Sequence, residues 1–226
     1  MTTRVEPHNV STALGIIDSL EPGEHRFIND VAWEEYEQLL EELGDSCKVR
    51  ISYDEGTLEL MGPTYRHEKY KEFILRAAAI LTRSLGLKLE SAGSVTLKRE
   101  KLSRGAEPDT CFYIQHASHV IGKETIDLEI DPPPDIVVEI DITRPSHTKR
   151  DIYARLGVPE FWCYDGTRFR IFRLVGMSYV ECDLSPTFPF LNALDMQDFI
   201  ELSKTEGQDA ALDKLQEWVI TRKQSS

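Results

Sequence analysis

The stretch that most restricts the fold lies at residues 134–149 and reads PDIVVEIDITRPSHTK. Isoleucine or valine stands at 136, 138, 140 and 142, the alternation typical of a β-strand that buries one face. The other face carries Glu139 and Asp141, which point the same way in the most β-prone segment of the chain. An unpaired buried carboxylate is costly, so this strand must pair its acids or bind a cation.

Two explanations fit these acids. One is an ion pair from Glu139 or Asp141 to Arg144, Lys149 or Arg150. The other is a metal site, which a second acidic element favours: AEPDTCFYI, at 106–114, places Asp109 at the mouth of another strand. Neighbouring strands that each deliver one acid to a shared point form an oxygen-ligand site suited to Mg²⁺ or Mn²⁺. Lys149 would add the positive charge that phosphoryl chemistry uses.

The remaining patterns predict a single α/β domain over residues 1–226, with a mixed β-sheet flanked by helices. Residues 1–25 lack periodicity and predict an extended arm. Asp54-Glu55-Gly56 and Asp165-Gly166 indicate hairpins. Thr64 and Gly86 are the expected cap and stop of a long helix. Further helices are expected at 32–43 and at 146–157, the latter capped by Ser146 or Thr148. Two more, at about 195–204 and about 207–221, form the C-terminal helices 195–221. Further strands are expected near 87–98, 108–114 and 178–183.

Composition sets the broad class. The chain has 226 residues, 41% of them hydrophobic and 29% charged, which is typical of a soluble globular protein. It has no apolar run of the about 18 residues that a membrane span needs, and no signal-peptide core, which predicts a cytoplasmic protein without membrane contact. The net charge of −13 argues against nucleic acid as a partner. Basic residues nevertheless cluster at 95–104 and 141–173, which keeps a polyanionic substrate open.

Cysteine and histidine spacing gives no second metal site. Cys47, Cys111, Cys163 and Cys182 contain no CxxC pair, which predicts reduced, mostly buried thiols. His116 and His119 have the spacing of metal ligands, but no third ligand accompanies them, so a surface loop is the favoured interpretation.

Several of these motifs occur in combination in a known group of proteins. The PD at 108–109, the Glu139-x-Asp141 strand and the basic residue behind it resemble the PD-(D/E)xK, or restriction-endonuclease-like, nuclease superfamily. Longer stretches narrow the resemblance: YDEGTLELMGPTYRHEKYKEFI, EPDTCFYI, and PPPDIVVEIDIT followed by IYARLGVPEFWCYD. They look like a bacterial endonuclease family long catalogued only as a domain of unknown function. The similarity runs from about residue 48 to 183.

The resemblance implies a fold and a set of site residues. The fold would be a mixed sheet of four or five strands flanked by helices, with the acids at one sheet edge. Asp109 and Glu139 would be metal ligands, and the backbone carbonyl of Ile140 a further ligand. Glu68, on the long helix, would be the acid that completes the site. His67 beside it is the competitor, although its place on the core stripe of that helix favours a packing role.

The chain departs from the superfamily pattern at one position. The pattern asks for lysine two residues after the glutamate, where this chain has Asp141. A basic residue displaced onto the following helix is a variant of this fold, which favours Lys149. Lys98 is the second choice and Arg150 the third.

Three functions follow. The first is a Mg²⁺- or Mn²⁺-dependent endonuclease that cleaves DNA, with a homodimer possible by resemblance. The second is a non-catalytic nucleic-acid- or protein-binding regulator on a nuclease scaffold, motivated by the missing ExK lysine and the acidity. The third, least favoured, is another ester or glycoside hydrolase that uses Glu139 and Asp141 as a pair, since these lie only about 7 Å apart on one strand. Finally, the last helix has an apolar stripe expected to dock on the sheet or on a second subunit: Leu212, Leu215, Trp218 and Val219.

Overall fold

The computed structural model describes residues 8–44, 49–142 and 147–224. The helices there are α1 (His8–Ser19), α2 (Trp33–Leu43), α3 (Tyr65–Leu85), α4 (Ala117–Val120), α5 (His147–Leu156), α6 (Ala193–Thr205) and α7 (Gln208–Gln224). The strands are β1 (His25–Ile28), β2 (Arg50–Asp54), β3 (Thr57–Met61), β4 (Glu90–Ser91), β5 (Leu97–Arg99), β6 (Arg104–Ala106), β7 (Thr110–Tyr113), β8 (Ile136–Ile140), β9 (Glu160–Tyr164), β10 (Phe169–Val175) and β11 (Ser178–Cys182). They form two sheets flanked by helices, which confirms the predicted mixed α/β class.

The first sheet is antiparallel, in the order β1-β3-β2-β6-β5. Its centre is the predicted hairpin, in which Asp54 pairs with Thr57 across a two-residue turn. Glu55 and Gly56, with φ angles of 45° and 98°, both adopt the positive values that such tight hairpin turns require. The turn chemistry therefore fixes the register of β2 against β3.

The second sheet is mixed, in the order β11-β10-β9-β8-β7-β4, and only β8 and β9 run parallel among the pairs described. The sequence predicted one sheet, and the second arises where the chain changes sheets. The strand expected near 87–98 is in fact β4 and β5, one in each sheet, separated by Gly93 at φ +59°. Between β6 and β7 stands Pro108, which has no N–H for a ladder. Asp109 lies at this second crossing.

Helix α5 connects the two parallel strands. A parallel pair needs a long crossover connection, and α5 lies in the one between β8 and β9. It ends at Gly157, at φ +84°, with the N–H of Val158 bonded to the carbonyl of Tyr153. The predicted caps Ser146 and Thr148 lie outside the described residues and side chains.

Strand β8 lies between two hydrophobic cores. Ile136, Val138 and Ile140 pack on the side of α3, α6 and α7. Val137 packs on the other side, with side chains of α5. Because side chains alternate along a strand, Glu139 also points toward α5. The predicted alternation of side chains is confirmed, and it places Glu139 on the face of the sheet that α5 covers.

The N-terminal region differs from the prediction. An extended arm was expected over residues 1–25, but residues 8–19 form α1, and β1 follows at His25. The reason is a stripe of apolar residues at helical spacing that pack on α2 and the first sheet, with Val10 and Ala13 buried and Leu14 and Ile17 partly buried. Residues 1–7 lie outside the described part.

The two C-terminal helices are confirmed as α6 and α7. Leu212, Leu215 and Val219 of α7 are buried in the core that includes α3, so this apolar stripe docks within the chain. Thr64 and Gly86 cap and end α3 as predicted. Cys111 and Cys163 are buried free thiols and Cys182 is a partly buried one, whereas Cys47 lies outside the described residues. Of the helices described, none is long and apolar enough to span a bilayer.

Candidate active site

Strands β7 and β8 bring the two predicted acids together. Thr110 pairs with Val138 in the antiparallel register, so the next pair outward is Asp109 and Glu139. Asp109 is 1% exposed and Glu139 is 2% exposed. Oδ2 of Asp109 accepts a hydrogen bond of 2.7 Å from the backbone N–H of Ile140. The sheet therefore holds one carboxylate directly beside the strand that carries the other.

Helix α5 adds a lysine and a tyrosine. Lys149 and Tyr153 are four residues apart and so share one helix face. The Lys149 Nζ lies 3.2 Å and 3.4 Å from the two carboxylate oxygens of Glu139, and 3.2 Å from the carbonyl of Glu107. The Tyr153 hydroxyl donates a bond of 2.6 Å to Glu139 Oε1. All three side chains are buried.

Asp109, Glu139, Lys149 and Tyr153 form a buried group of side chains, the acidic cluster. Burial and charge have opposing effects on the pKa values of its members. Burial raises the pKa of Glu139 to about 8; repulsion from Asp109 and Asp141 adds to the rise, while Lys149 and the Tyr153 bond counter it. For Lys149, burial lowers the pKa, but the charges of Glu139, Asp109 and Glu59 outweigh burial and raise it. Several carboxyl groups thus share one lysine, and the cluster holds more potential negative charge than Lys149 can balance.

One oxygen of the cluster has no hydrogen bond. Within the described residues, Asp109 Oδ1 is buried without a partner, and such atoms in native proteins usually mark a functional position, an ion or a water. The same residues contain no group of three or more His, Cys, Asp or Glu side chains arranged to hold a metal. A cation at Asp109 and Glu139 would therefore need backbone or water oxygens as well, which is how Mg²⁺ is commonly bound.

The side chains of Glu68 and its neighbour His67 on α3 lie in different environments. Glu68 has a 42% exposed side chain, paired with Lys71 and, at 3.4 Å, with Arg50. His67 is 2% exposed, and its Nδ1 lies 2.7 Å from the Thr64 hydroxyl. Burial lowers the pKa of His67, and the charge of Asp109 opposes this only in part.

The other two basic candidates lie elsewhere. Lys98, on β5, pairs with Glu37 of α2 at 2.8 Å and lies over the ring of Trp33. The guanidinium of Arg150 lies 5.1 Å from the ring centre of Phe172. Lys149 is the basic candidate that contacts Glu139 directly.

Sequence reasoning missed a polar cluster on the first sheet. Glu59, on β3, accepts from Ser52 Oγ at 3.2 Å and lies 2.8 Å from Nδ1 of His25. Burial would raise the pKa of Glu59, but the His25 bond and the charge of Lys149 lower it. The sequence carries no local signal for this cluster, because Glu59 between Leu58 and Leu60 follows the ordinary alternation of a strand with one apolar face.

Glu107, just before the PD pair, was also missed. Its carboxylate accepts from the N–H of Ile51 at 3.1 Å and from Thr96 Oγ1 at 3.0 Å. Since its carbonyl accepts from Lys149, Glu107 connects the first sheet to the acidic cluster.

The histidine pair plays a different part. His116 Nδ1 lies 2.6 Å from Asp135, whose carboxylate also accepts from the N–H groups of Ile114 and His116. This network secures the start of α4, so the surface loop predicted for His116 and His119 is instead the first turn of a short helix.

A sheet pair flanked by helices, with buried acids and a lysine where β7, β8 and α5 meet, defines the class of restriction-endonuclease-like α/β proteins. The family model described as Uma2, putative restriction endonuclease, matches residues 33–205, and the chain belongs to that family. This confirms the resemblance to the PD-(D/E)xK superfamily. No curated protein matches the chain.

A solved structure agrees with the fold. It is the crystal structure of a putative nuclease belonging to DUF820 from Anabaena variabilis, similar with a TM-score of 0.51 and 15% sequence identity. The alignment covers 74% of this chain and 98% of that one. At this identity the match supports the fold alone. Family membership makes the chain a putative nuclease.

Proposed function

We propose that the protein is a divalent-metal-dependent endonuclease that hydrolyses phosphodiester bonds of DNA. The observation that carries the proposal is the buried, unpartnered Oδ1 of Asp109 beside the Glu139 carboxylate. A plain structural ion pair between Lys149 and Glu139 leaves this oxygen unexplained. The family description, a restriction endonuclease, supports DNA as the substrate.

The donor atoms fit a hard cation. Asp109 and Glu139 would hold Mg²⁺, or Mn²⁺, with the carbonyl of Ile140 as a further ligand, since such ions prefer oxygen. When bound, the ion supplies polarisation of the scissile phosphate and a lowered pKa for a coordinated water. Asp109 and Glu139, both buried, would balance the charge of the ion.

Two further residues have proposed roles. The ammonium group of Lys149 orients the attacking water and offsets the negative charge that develops on the phosphate in the transition state. Glu68 is the proposed helix-borne acid that supports the site. Arg50 and Lys71, which now pair with Glu68, are cations that a DNA phosphate can also contact.

The proposal is tested by incubating the protein with plasmid, linear and single-stranded DNA in Mg²⁺ or Mn²⁺, against EDTA. We expect metal-dependent cleavage that falls by at least about 100-fold in Asp109→Asn, Glu139→Gln and Lys149→Met. Glu68→Gln should lower cleavage by about tenfold or more. Absence of cleavage in the wild type, or cleavage that survives Glu139→Gln, overturns the proposal.

A matched control is available on the neighbouring strand. Glu160, on β9, is also a buried glutamate, but the described residues that bond its carboxylate, Trp162, Ser185 and Thr187, lie outside the acidic cluster. Folded Glu160→Gln should cleave DNA at nearly the wild-type rate. Tight DNA binding without cleavage or metal dependence would instead favour a non-catalytic binding protein.

A further inference from the structure

Tyr153 is a buried tyrosine whose hydroxyl touches a proposed metal ligand. The residue is 0% exposed, and its hydroxyl donates to Glu139 Oε1 at 2.6 Å. It lies one helical turn after Lys149, so α5 directs both side chains at the same carboxylate. A phenol costs less to bury than a second cation, and it supplies a single directed donor.

Asp109 is held in a comparable way. The N–H of Ile140 engages Oδ2 of Asp109 and leaves Oδ1 without a partner. The Tyr153 hydroxyl engages Oε1 of Glu139, while Lys149 lies nearest Oε2. Each proposed ligand therefore has one oxygen fixed by a neutral donor, which restricts how its carboxylate can rotate.

We propose that Tyr153 is a positioning residue that fixes the Glu139 carboxylate in the orientation required for divalent-metal binding. The inference rests on the proposed function and adds a residue that lies outside the acid–lysine motif. Outer hydrogen bonds of this kind orient ligands, and their loss commonly weakens metal binding by about 10–100-fold.

A packing role for the ring is separable from the role of the hydroxyl. The Tyr153 ring packs near Phe161, at 6.1 Å between ring centres, and belongs to the core beneath the second sheet. Tyr153→Phe keeps this ring and removes only the donor. The matched control is Tyr179→Phe, because the Tyr179 hydroxyl donates at 2.8 Å to the carbonyl of Val158, a residue that follows α5 and lies outside the acidic cluster.

The test measures Mn²⁺ binding to the full chain without DNA, by calorimetry and by the electron paramagnetic resonance of free Mn²⁺. We expect Tyr153→Phe to raise the Mn²⁺ dissociation constant by about 10–100-fold. Tyr179→Phe should change it by less than about twofold. In a Glu139→Gln background, adding Tyr153→Phe should have no further effect, since the tyrosine acts through Glu139.

The outcomes separate this inference from the proposed function. If the wild type binds Mn²⁺ and Tyr153→Phe binds it equally well, the positioning role is wrong and the metal site stands. If both tyrosine variants weaken binding alike, the effect is general to buried hydroxyls and the positioning role is again wrong. If the wild type binds no Mn²⁺ at all, both the inference and the proposed function are overturned.

Discussion

Lys149 and Glu139 depend on each other for burial. Their side chains are 7% and 3% exposed, and the Nζ–Oε2 distance is 3.2 Å. Removing one partner of a buried pair leaves an uncompensated group, whereas removing both is often tolerated. At the residue scale, the effects of Lys149 and Glu139 on the free energy of unfolding should therefore be strongly coupled.

We predict that Lys149→Met, in EDTA, lowers the free energy of unfolding by about 3 kcal/mol. The double variant Lys149→Met/Glu139→Gln should lose clearly less than the sum of the two single variants, because neither charge remains. Urea unfolding of all four proteins measures this coupling. Strict additivity would show that the two side chains do not interact.

The two proposed ligands also show how much of the site the sequence could predict. Asp109 and Glu139 were predictable because each is an acid at a marked place in a β-prone run, and adjacent strands bring such places together. Lys149 was predictable because it lies ten residues after Glu139, at the start of a helix. The His25–Glu59 contact joins two strands 34 residues apart, and no local pattern specifies that pairing.

At the scale of elements, tight turns and helix caps were the predictable features. Gly56 and Gly86 have positive φ angles where the sequence indicated a turn and a helix stop. Helix α1 was missed because four apolar positions in a polar segment become a helix only when α2 covers them. The second sheet was missed because 87–98 was predicted as one strand, whereas its two parts, β4 and β5, belong to different sheets.

Glu160 connects β9 to the segment that precedes α6. It is 0% exposed, and its carboxylate accepts from Trp162, Ser185 and the N–H of Thr187 at 2.6, 2.6 and 2.9 Å. Burial nevertheless raises the pKa of Glu160 above its ordinary value of 4.5, although these bonds counter the rise. The folded state therefore binds this proton more tightly than the unfolded chain does.

The sign of the pH effect follows from that difference. The contribution of the Glu160 carboxyl to stability is largest below its unfolded pKa and decreases as the pH rises through the higher folded pKa. Glu160→Gln cannot titrate, so as the pH rises above the ordinary value of 4.5 the wild type should lose stability relative to this variant. Urea unfolding over this range measures the trend. Glu181→Gln, at an exposed glutamate of β11, is the control for removing a glutamate. If the difference in free energy of unfolding between the wild type and Glu160→Gln did not change with pH, the prediction would be wrong.

At the scale of the whole molecule, a net charge of −13 repels DNA. Binding of the proposed DNA substrate would then depend on local cations, and the acidic cluster would add repulsion where the phosphate enters. A hard divalent ion in the site would reverse the local charge. The predicted homodimer, which would double the charge of the particle, makes this requirement stronger.

We therefore predict that Ca²⁺, an oxygen-seeking ion, tightens DNA binding by at least about tenfold relative to EDTA. Fluorescence anisotropy with a labelled duplex at fixed ionic strength measures the dissociation constant. Glu139→Gln should respond less to Ca²⁺ than the wild type does, because it has lost one proposed ligand. Glu160→Gln has the same change in charge away from the cluster and should respond like the wild type. An equal Ca²⁺ response in Glu139→Gln would mean that the ion acts through general screening, and that Glu139 takes no part in bringing metal to the DNA.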